Sequence, residues 1–266
     1  MEKEILDSKS LKKLETKGEI IVEKQRSQGI PDLSIIIPAY NEEKTICSIA
    51  TITKNIALTY GISHEIIIIN DGSVDMTKEK AENCAEIVIT LNENSGKGTA
   101  LKRGFKASKG RSLLTIDADG SHQENDIKRV ISEFFAEEVD MLIGSRFQKK
   151  VDVRFTSSMN IVGNKLFKYL IFLISGQHIT DSLSGLRIFD RRVIQSMELI
   201  SKDYEIESEL TLKTIARNFR IIEIPITCKP RVFGSARLNS IIDGVKITKT
   251  IIYSYFNEKK RVRKSD

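Results

Sequence analysis

Between Leu33 and Arg146 the chain repeats one short pattern: a brief apolar run, a polar exit, then a segment with helical spacing. "LSIIIPAY" is followed by "TICSIATITKNIAL", "HEIIIINDGS" by "DMTKEKAENCA", "EIVITLNEN" by "GTALKRGFKAS" and "RSLLTIDADG" by "NDIKRVISEFFAE"; "VDMLIGSR" closes the series. Runs that are apolar throughout, instead of alternating, belong to strands buried on both faces, and helices between them make βαβ units. The pattern predicts an α/β fold with a mostly parallel sheet flanked by helices. In such a sheet ligands bind at the carboxyl ends of the strands, where crossover loops and helix N-termini gather. The exits "PAYNE", "NDGSVD", "NSGKG", "DADGSH" and "GSR" are therefore expected to converge on one edge.

Composition narrows the class. With 266 residues, 40% of them hydrophobic and 29% charged, the chain holds enough apolar material for one large domain or two small ones. No window approaches the roughly 18–20 consecutive apolar residues of a membrane span. The N-terminus "MEKEILDSKSLKKLETKGE" is charged throughout, so neither a signal peptide nor a spanning helix is expected. Residues 1–31 read as a charged, solvated helical extension ended by Pro31. Cys47, Cys84 and Cys228 are odd in number, far apart and without metal-ligand spacing. They predict neither a disulfide framework nor a structural zinc, and a reducing cytoplasm fits them best. The net charge of +6 points to an anionic partner, and the tail carries Lys259, Lys260, Arg261, Arg263 and Lys264. Without tryptophan or aromatic residues interleaved among the basic ones, nucleic acid is not expected as that partner.

Spacing also removes two common nucleotide sites. "PAYNEE" stands where a dinucleotide fold needs G-x-G-x-x-G, and a P-loop ending at Gly96-Lys97 would need glycine at Leu91 and a hydroxyl residue at Gly98. Asp117 and Asp119, two residues apart at a strand end, point to the same side. They either close an ordinary solvated turn or share a hard divalent cation, Mg²⁺ or Mn²⁺, whose remaining ligands are water and phosphate oxygens. Such a metal neutralises charge on a departing diphosphate. His122 is a further candidate ligand. Asp71 is an acceptor for a base or ribose donor, or a cap for the "DGS" turn. Lys97, between two glycines, is a point charge for phosphate, or a solvated lysine.

Taken in order, "PAYNE", "NDGSVDMT", "NSGKGTAL", "DADG", "GSRF", "ITDSLSGLRIFDRRV", "YEIESEL" and "KPRVFGSARL" resemble the family-2 glycosyltransferases of the GT-A fold. Within them the set is most similar to the dolichyl-phosphate mannose or glucose synthases, from about Leu33 to Gly244. The resemblance implies inverting transfer of a hexose from GDP-mannose or UDP-glucose to a lipid phosphate, with Mg²⁺ or Mn²⁺. It divides the chain into an N-terminal extension (1–31), a nucleotide-sugar half (32–150), an acceptor half (151–240) and a C-terminal amphipathic helix with a basic tail (241–266). It assigns Pro38, Ala39, Tyr40, Glu42, Asp71 and Arg231 to the nucleotide sugar, Asp117 and Asp119 to the metal and diphosphate, and Arg146 to the acceptor phosphate. Lys97 joins the nucleotide-sugar set and Arg154 and Ser184 the acceptor set, and Asp119, Arg146 and Asp181 are the expected catalytic residues. Asn70 and Ser121 depart from the pattern, standing where relatives carry an aspartate and a glutamine, and Arg237 replaces a common lysine. These departures leave open a relative that binds sugar nucleotides without turnover. The Q-x-x-R-W motif of processive synthases is absent.

Acceptor chemistry separates two enzymatic readings. An anionic phosphate attacks an anomeric carbon without a general base, whereas a sugar hydroxyl needs a carboxylate within hydrogen-bond reach. Asp181, Glu207 and Glu209 are the candidate bases. In "MNIVGNKLFKYLIFLISG", Val162, Leu166, Tyr169, Leu170 and Leu173 recur at helical spacing, either as a core helix or as one resting in a bilayer interface with Lys165 and Lys168 toward headgroups. "SIIDGVKITKTIIYSYF" repeats the pattern at Ile241, Val245, Thr248, Ile252 and Tyr255, directly before the basic tail. A cytoplasmic protein held peripherally on a membrane is the expectation.

Overall fold

The computed structural model describes residues 3–7, 11–16, 18–24, 29–148, 158–229 and 240–265. Arg154, Arg231 and Arg237 lie outside the described residues. The strands are β1 (Lys3–Asp7), β2 (Leu11–Thr16), β3 (Glu19–Lys24), β4 (Leu33–Ala39), β5 (His64–Asn70), β6 (Ile87–Leu91), β7 (Ser112–Thr115), β8 (Met141–Ser145), β9 (Arg187–Asp190) and β10 (Ile221–Pro225). The helices are α1 (Ile46–Thr59), α2 (Thr77–Cys84), α3 (Lys97–Ala107), α4 (Glu124–Ala136), α5 (Ser158–Ser175), α6 (Arg191–Gln195), α7 (Ile206–Ala216) and α8 (Ser240–Ser265).

One sheet runs in the order β1-β2-β3-β6-β5-β4-β7-β9-β8-β10. Its centre, β6-β5-β4-β7, is parallel as the repeating pattern requires. Strand order reverses between β4 and β7, which places the ligand crevice of an open α/β sheet at "PAYNE" and "DADG". Outside this centre the sheet is mixed. β9 is inserted antiparallel between β7 and β8, and β8 then pairs in parallel with β10. Because β9 runs backward, β8 still points the same way as β7, and all five exits lie on one edge.

The N-terminal segment departs from its reading as a helical extension. β1, β2 and β3 form an antiparallel meander, and β3 pairs with β6 from Glu19↔Leu91 to Glu23↔Ile87. Without it β6 would present a row of unpaired backbone groups at the sheet edge. A Lys/Glu-rich edge strand resembles a solvated helix in composition; the pairing partner decides between them.

The isoleucines of "SIIIP" and "HEIIIIN" are fully buried on both sides. Ile35, Ile37, Ile66 and Ile68 pack with α1 and α4, whereas Ile36, Ile67 and Ile69 pack with α3 and α7. Each such side chain contributes roughly 1.5–3 kcal/mol relative to exposure. A third cluster joins α5, α7 and α8 through Phe167, Ile171, Leu212, Ile215, Ile247 and Ile251. The stripe Leu166, Tyr169 and Leu173 is exposed, so the core face of α5 is the one carrying Phe167 and Ile171. α8 likewise buries Ile247 and Ile251 and exposes Val245 and Ile252. Among the described residues no helix is long and apolar enough to cross a membrane. Cys47 of α1 and Cys84 of α2 form a disulfide, with Cα atoms 5.5 Å apart. That corrects the expectation of unpaired cysteines: 37 residues of separation are closed by the βα crossover, which lays α2 beside α1.

Candidate active site

The first two exits are stapled together. Asn41, held at φ 55°, donates its backbone N–H to Ser73 Oγ at 2.9 Å and accepts the Val74 N–H on its side-chain oxygen at 2.9 Å. The Glu42 N–H reaches Thr77 Oγ1 at 2.8 Å, and Glu43 takes the Met76 N–H at 3.1 Å. Asparagine tolerates this left-handed conformation better than most side chains do. Pro38 and Ala39 end β4 here, with Tyr40 beside them and Glu42 buried.

Asp71 is not an open acceptor. It is buried, and its two carboxylate oxygens take the Ser95 and Gly96 N–H groups at 2.8 and 3.0 Å. Burial raises its pKa against the opposing pull of those two donors. Its work is to fasten the β5 exit to the "NSGKG" loop. Gly96, at φ +91°, lies so close to the Lys202 carbonyl that a Cβ would collide with it.

The centre of the edge is a three-membered ionic cluster. The Lys97 ammonium, at the start of α3, lies 2.5 Å from Asp117 and 2.6 Å from Glu207 of α7. Gly185 makes room for this, since a side chain there would overlap the Asp117 carboxylate. Burial works against charge in all three groups. For Lys97 the two carboxylates outweigh it and raise its pKa; for Asp117 the ammonium, with His122 and Arg146, outweighs it and lowers the pKa; for Glu207 burial prevails and the pKa rises. Lys97 is thus neither solvated nor free.

Asp119, half-buried, accepts the Ser121 N–H at 3.0 Å on one oxygen and has no partner on the other among the described residues. His122 is buried, with its pKa lowered by that burial; its Nδ1 lies 3.7 Å from Cys228 Sγ and its Nε2 has no partner among the described residues. No group of three or more His, Cys, Asp or Glu side chains among the described residues is arranged to hold a metal. Two carboxylates at the switch point, one already balanced by an exchangeable ammonium, fit a divalent ion that brings its own phosphate and water ligands. They do not form an all-protein cage.

On the far side Arg146, leaving β8, is gripped by Asp181. Nε and Nη2 donate to Oδ2 and Oδ1 at 2.7 and 2.9 Å, and the Arg146 backbone N–H reaches Oδ2 at 3.1 Å. Asp181 is fully buried, and Glu223 of β10 fixes its loop by accepting the Thr180 and Asp181 N–H groups at 2.7 and 2.9 Å. This corrects the expectation of Asp181 as a catalytic base: both oxygens are committed to the guanidinium, and the residue positions Arg146. Glu209 is withdrawn too, paired with Lys213 at 2.6 Å and accepting the Ile200 and Ser201 N–H groups. Ser184, assigned to the acceptor, is fully buried, and its carbonyl accepts Arg187.

Sequence reasoning passed over Arg187 and Glu223. Arg187 is buried and donates to the carbonyls of Ser182, Ser184 and Glu207 and to Thr211 Oγ1, knitting the 182–185 loop to α7. A charged residue directly before the apolar pair Ile188-Phe189 was the available signal.

Comparison with known proteins follows this geometry. The family model described as "Glycosyl transferase family 2" matches residues 34–197. An uncharacterised protein of Methanocaldococcus jannaschii is 32% identical over 85% of this chain and 95% of its own. A UDP-N-acetylglucosamine dolichyl-phosphate N-acetylglucosaminyltransferase of Methanococcus voltae is 31% identical over 80% of this chain and 92% of its own. An undecaprenyl-phosphate 4-deoxy-4-formamido-L-arabinose transferase of Klebsiella pneumoniae is 28% identical over 78% of this chain and 63% of its own. Among solved structures, glucosyl-3-phosphoglycerate synthase of Mycobacterium tuberculosis with Mn²⁺ and UDP-glucose aligns with a TM-score of 0.64 at 18% identity, covering 86% of this chain and 79% of that one. This likeness is one of fold.

Proposed function

Because the chain belongs to glycosyl transferase family 2, and is a glycosyltransferase acting with nucleotide sugars, we propose that it transfers a hexose, mannose or glucose, to dolichyl or another polyprenyl phosphate. One observation carries the choice of acceptor: every candidate base is already engaged by a cation. Asp181 is held by Arg146, Glu207 by Lys97 and Glu209 by Lys213. A sugar hydroxyl would find no open carboxylate among these three, whereas a phosphate monoester is already anionic and needs none. The relatives whose names specify dolichyl-phosphate and undecaprenyl-phosphate acceptors support the same reading.

In this reading an acceptor phosphate oxygen attacks the anomeric carbon while the bond from that carbon to the nucleotide diphosphate breaks, inverting configuration. The electron pair leaves on the diphosphate. Asp117 and Asp119 would hold Mg²⁺ or Mn²⁺, which when bound neutralises that developing charge. Lys97 adds a second positive charge beside it. Arg146, pre-oriented by Asp181, offers its outer face to the acceptor phosphate, a geometry suited to a planar guanidinium. Catalysis is then positioning and electrostatics. Ser184 supports the loop carrying Asp181, Arg231 is assigned to the donor phosphates by the family resemblance, and Arg154, just upstream of the apolar segment of α5, is assigned to assist Arg146 at the acceptor phosphate. The nucleotide is assigned to Pro38, Ala39, Tyr40 and Glu42, with Asp71 shaping the loop beneath it.

The exposed apolar residues of α5 and α8, with the basic end of α8, support peripheral attachment to a membrane surface, which would present the lipid phosphate to the site. The test incubates the protein and Mn²⁺ or Mg²⁺ with labelled GDP-mannose, UDP-glucose or UDP-N-acetylglucosamine and dolichyl phosphate. Metal-dependent label in the organic phase from a hexose donor is expected. Transfer from UDP-N-acetylglucosamine alone would replace the hexose assignment, and transfer only to glycan hydroxyls would overturn the acceptor.

A further inference from the structure

A cavity of about 280 Å³ opens between α7 and the last turns of α8. Its α7 member, Lys213, lies six residues beyond Glu207, roughly 9 Å along the helix from the ionic centre. Hydrogen-bond donors make up most of the cavity wall, with Ile200 and Glu258 completing it. Lys213 donates to the Glu198 carbonyl and pairs with Glu209, using two of its three N–H groups. From α8 come Ser254, Asn257, Lys260, Arg261 and Lys264, spaced to share one helical face. The carboxylate that lines it, Glu258, is committed to Arg217 at 2.7 Å. Lys260 and Lys264 are exposed and have no ion pair among the described residues. Ser254 is fully buried, and its hydroxyl has no partner among them. A buried hydroxyl left unpaired costs free energy, and here it lines a cavity together with Asn257, the cations Lys213, Lys260 and Lys264, and Arg261, which also pairs with Glu198 at 3.2 Å.

We infer that this cavity binds a phosphate group. It has room for about nine waters by volume, enough for a phosphate and a small ester substituent. The source that fits its surroundings is the headgroup of an anionic lipid: Ile252, Tyr253 and Phe256, exposed on the same helix, would rest in the interface while the phosphate enters beside Lys260. That source rests on the membrane-peripheral reading above; the phosphate pocket does not.

The experiment has two arms on the full chain. Inorganic phosphate is titrated calorimetrically, and binding is measured to vesicles of phosphatidylcholine with and without phosphatidylglycerol. Lys260→Ala/Lys264→Ala should weaken phosphatidylglycerol binding about thirtyfold. The charge-matched pair Lys106→Ala/Lys109→Ala, distant from the cavity, should weaken it less than about twofold once salt screens it. Ser254→Ala, which changes no charge, should lower affinity in both arms about fivefold while melting no lower than the wild type, because alanine favours the helix and the orphan hydroxyl is gone. If phosphate binds but the vesicle arm ignores both cavity variants, the pocket stands and its ligand is a free phosphate. If Ser254→Ala changes neither arm, or the lysine pair behaves like the control in both arms, the pocket is overturned. A wild type that ignores vesicles yet binds phosphate refutes the membrane reading alone.

Discussion

The donor and acceptor sides of the strand-exit edge are made from the same chemical parts, used in opposite ways. On the donor side one cation, Lys97, is divided between two carboxylates, Asp117 and Glu207. On the acceptor side one carboxylate, Asp181, spends both oxygens on one cation, Arg146. Under the proposed function the first arrangement would be exchangeable: a metal held at Asp117 would leave the ammonium with Glu207 as its partner. The second is fixed, bidentate and braced from behind by Glu223. In the proposed reaction, a site that admits and releases a metal-bound diphosphate would need the former, and one that holds a phosphate nucleophile in line would need the latter.

The comparison breaks most sharply at Asp117. Asp117→Ala should reduce kcat for sugar transfer by about 10²–10³-fold or more, as loss of a transition-state electrostatic contact does, with the fold kept, as a circular dichroism melt would verify. On the acceptor side, Asp181→Asn should cost about 2–3 kcal/mol in urea unfolding. That is below the usual figure for a broken buried pair because Arg146 keeps 36% of its side-chain surface exposed. Its kinetic effect should appear in KM for the lipid phosphate and spare KM for the sugar nucleotide. Equal changes in both constants would mean the two sides are not independent.

A smaller effect sharpens the donor side. Glu207 has a raised pKa, so in acid the folded protein holds a proton that the unfolded chain has already released. Its contribution to stability therefore falls as pH rises from about 4.5 through the folded value. Asp117, with a lowered pKa, contributes stability above about 3.8 that is lost only as pH falls through its folded value. Glu207→Gln should remove the first slope and keep the second, which urea midpoints measured across the acid range would reveal. The smallest expected effect concerns Cys228, whose thiol is pushed up to about 12, by burial first. It should remain a thiol and alkylate slowly at neutral pH in the native protein, and rapid labelling would show that the loop beside His122 opens.

The alternation of uninterrupted apolar runs with helical segments determined the α/β centre of the fold, because only strands covered on both faces lack polar alternation. The same signal located the active edge, since exits of parallel strands share a side. It did not reveal β9, a four-residue strand whose antiparallel place depends on β7 and β8 being spaced to receive it. Nor did it reveal the N-terminal meander, where charged composition concealed a pairing set by the open edge of β6. Within the site, residue types were legible and their partners were not. Asp71, Asp181, Glu207 and Glu209 all read as available carboxylates. Which are spent on backbone N–H groups, and which on Lys97, Arg146 or Lys213, depends on contacts between segments as much as 110 residues apart, as for Lys97 and Glu207. Sequence determined the chemistry assembled at this edge; only the tertiary structure decided which charges remain exchangeable, because burial and pairing are properties of neighbours in space.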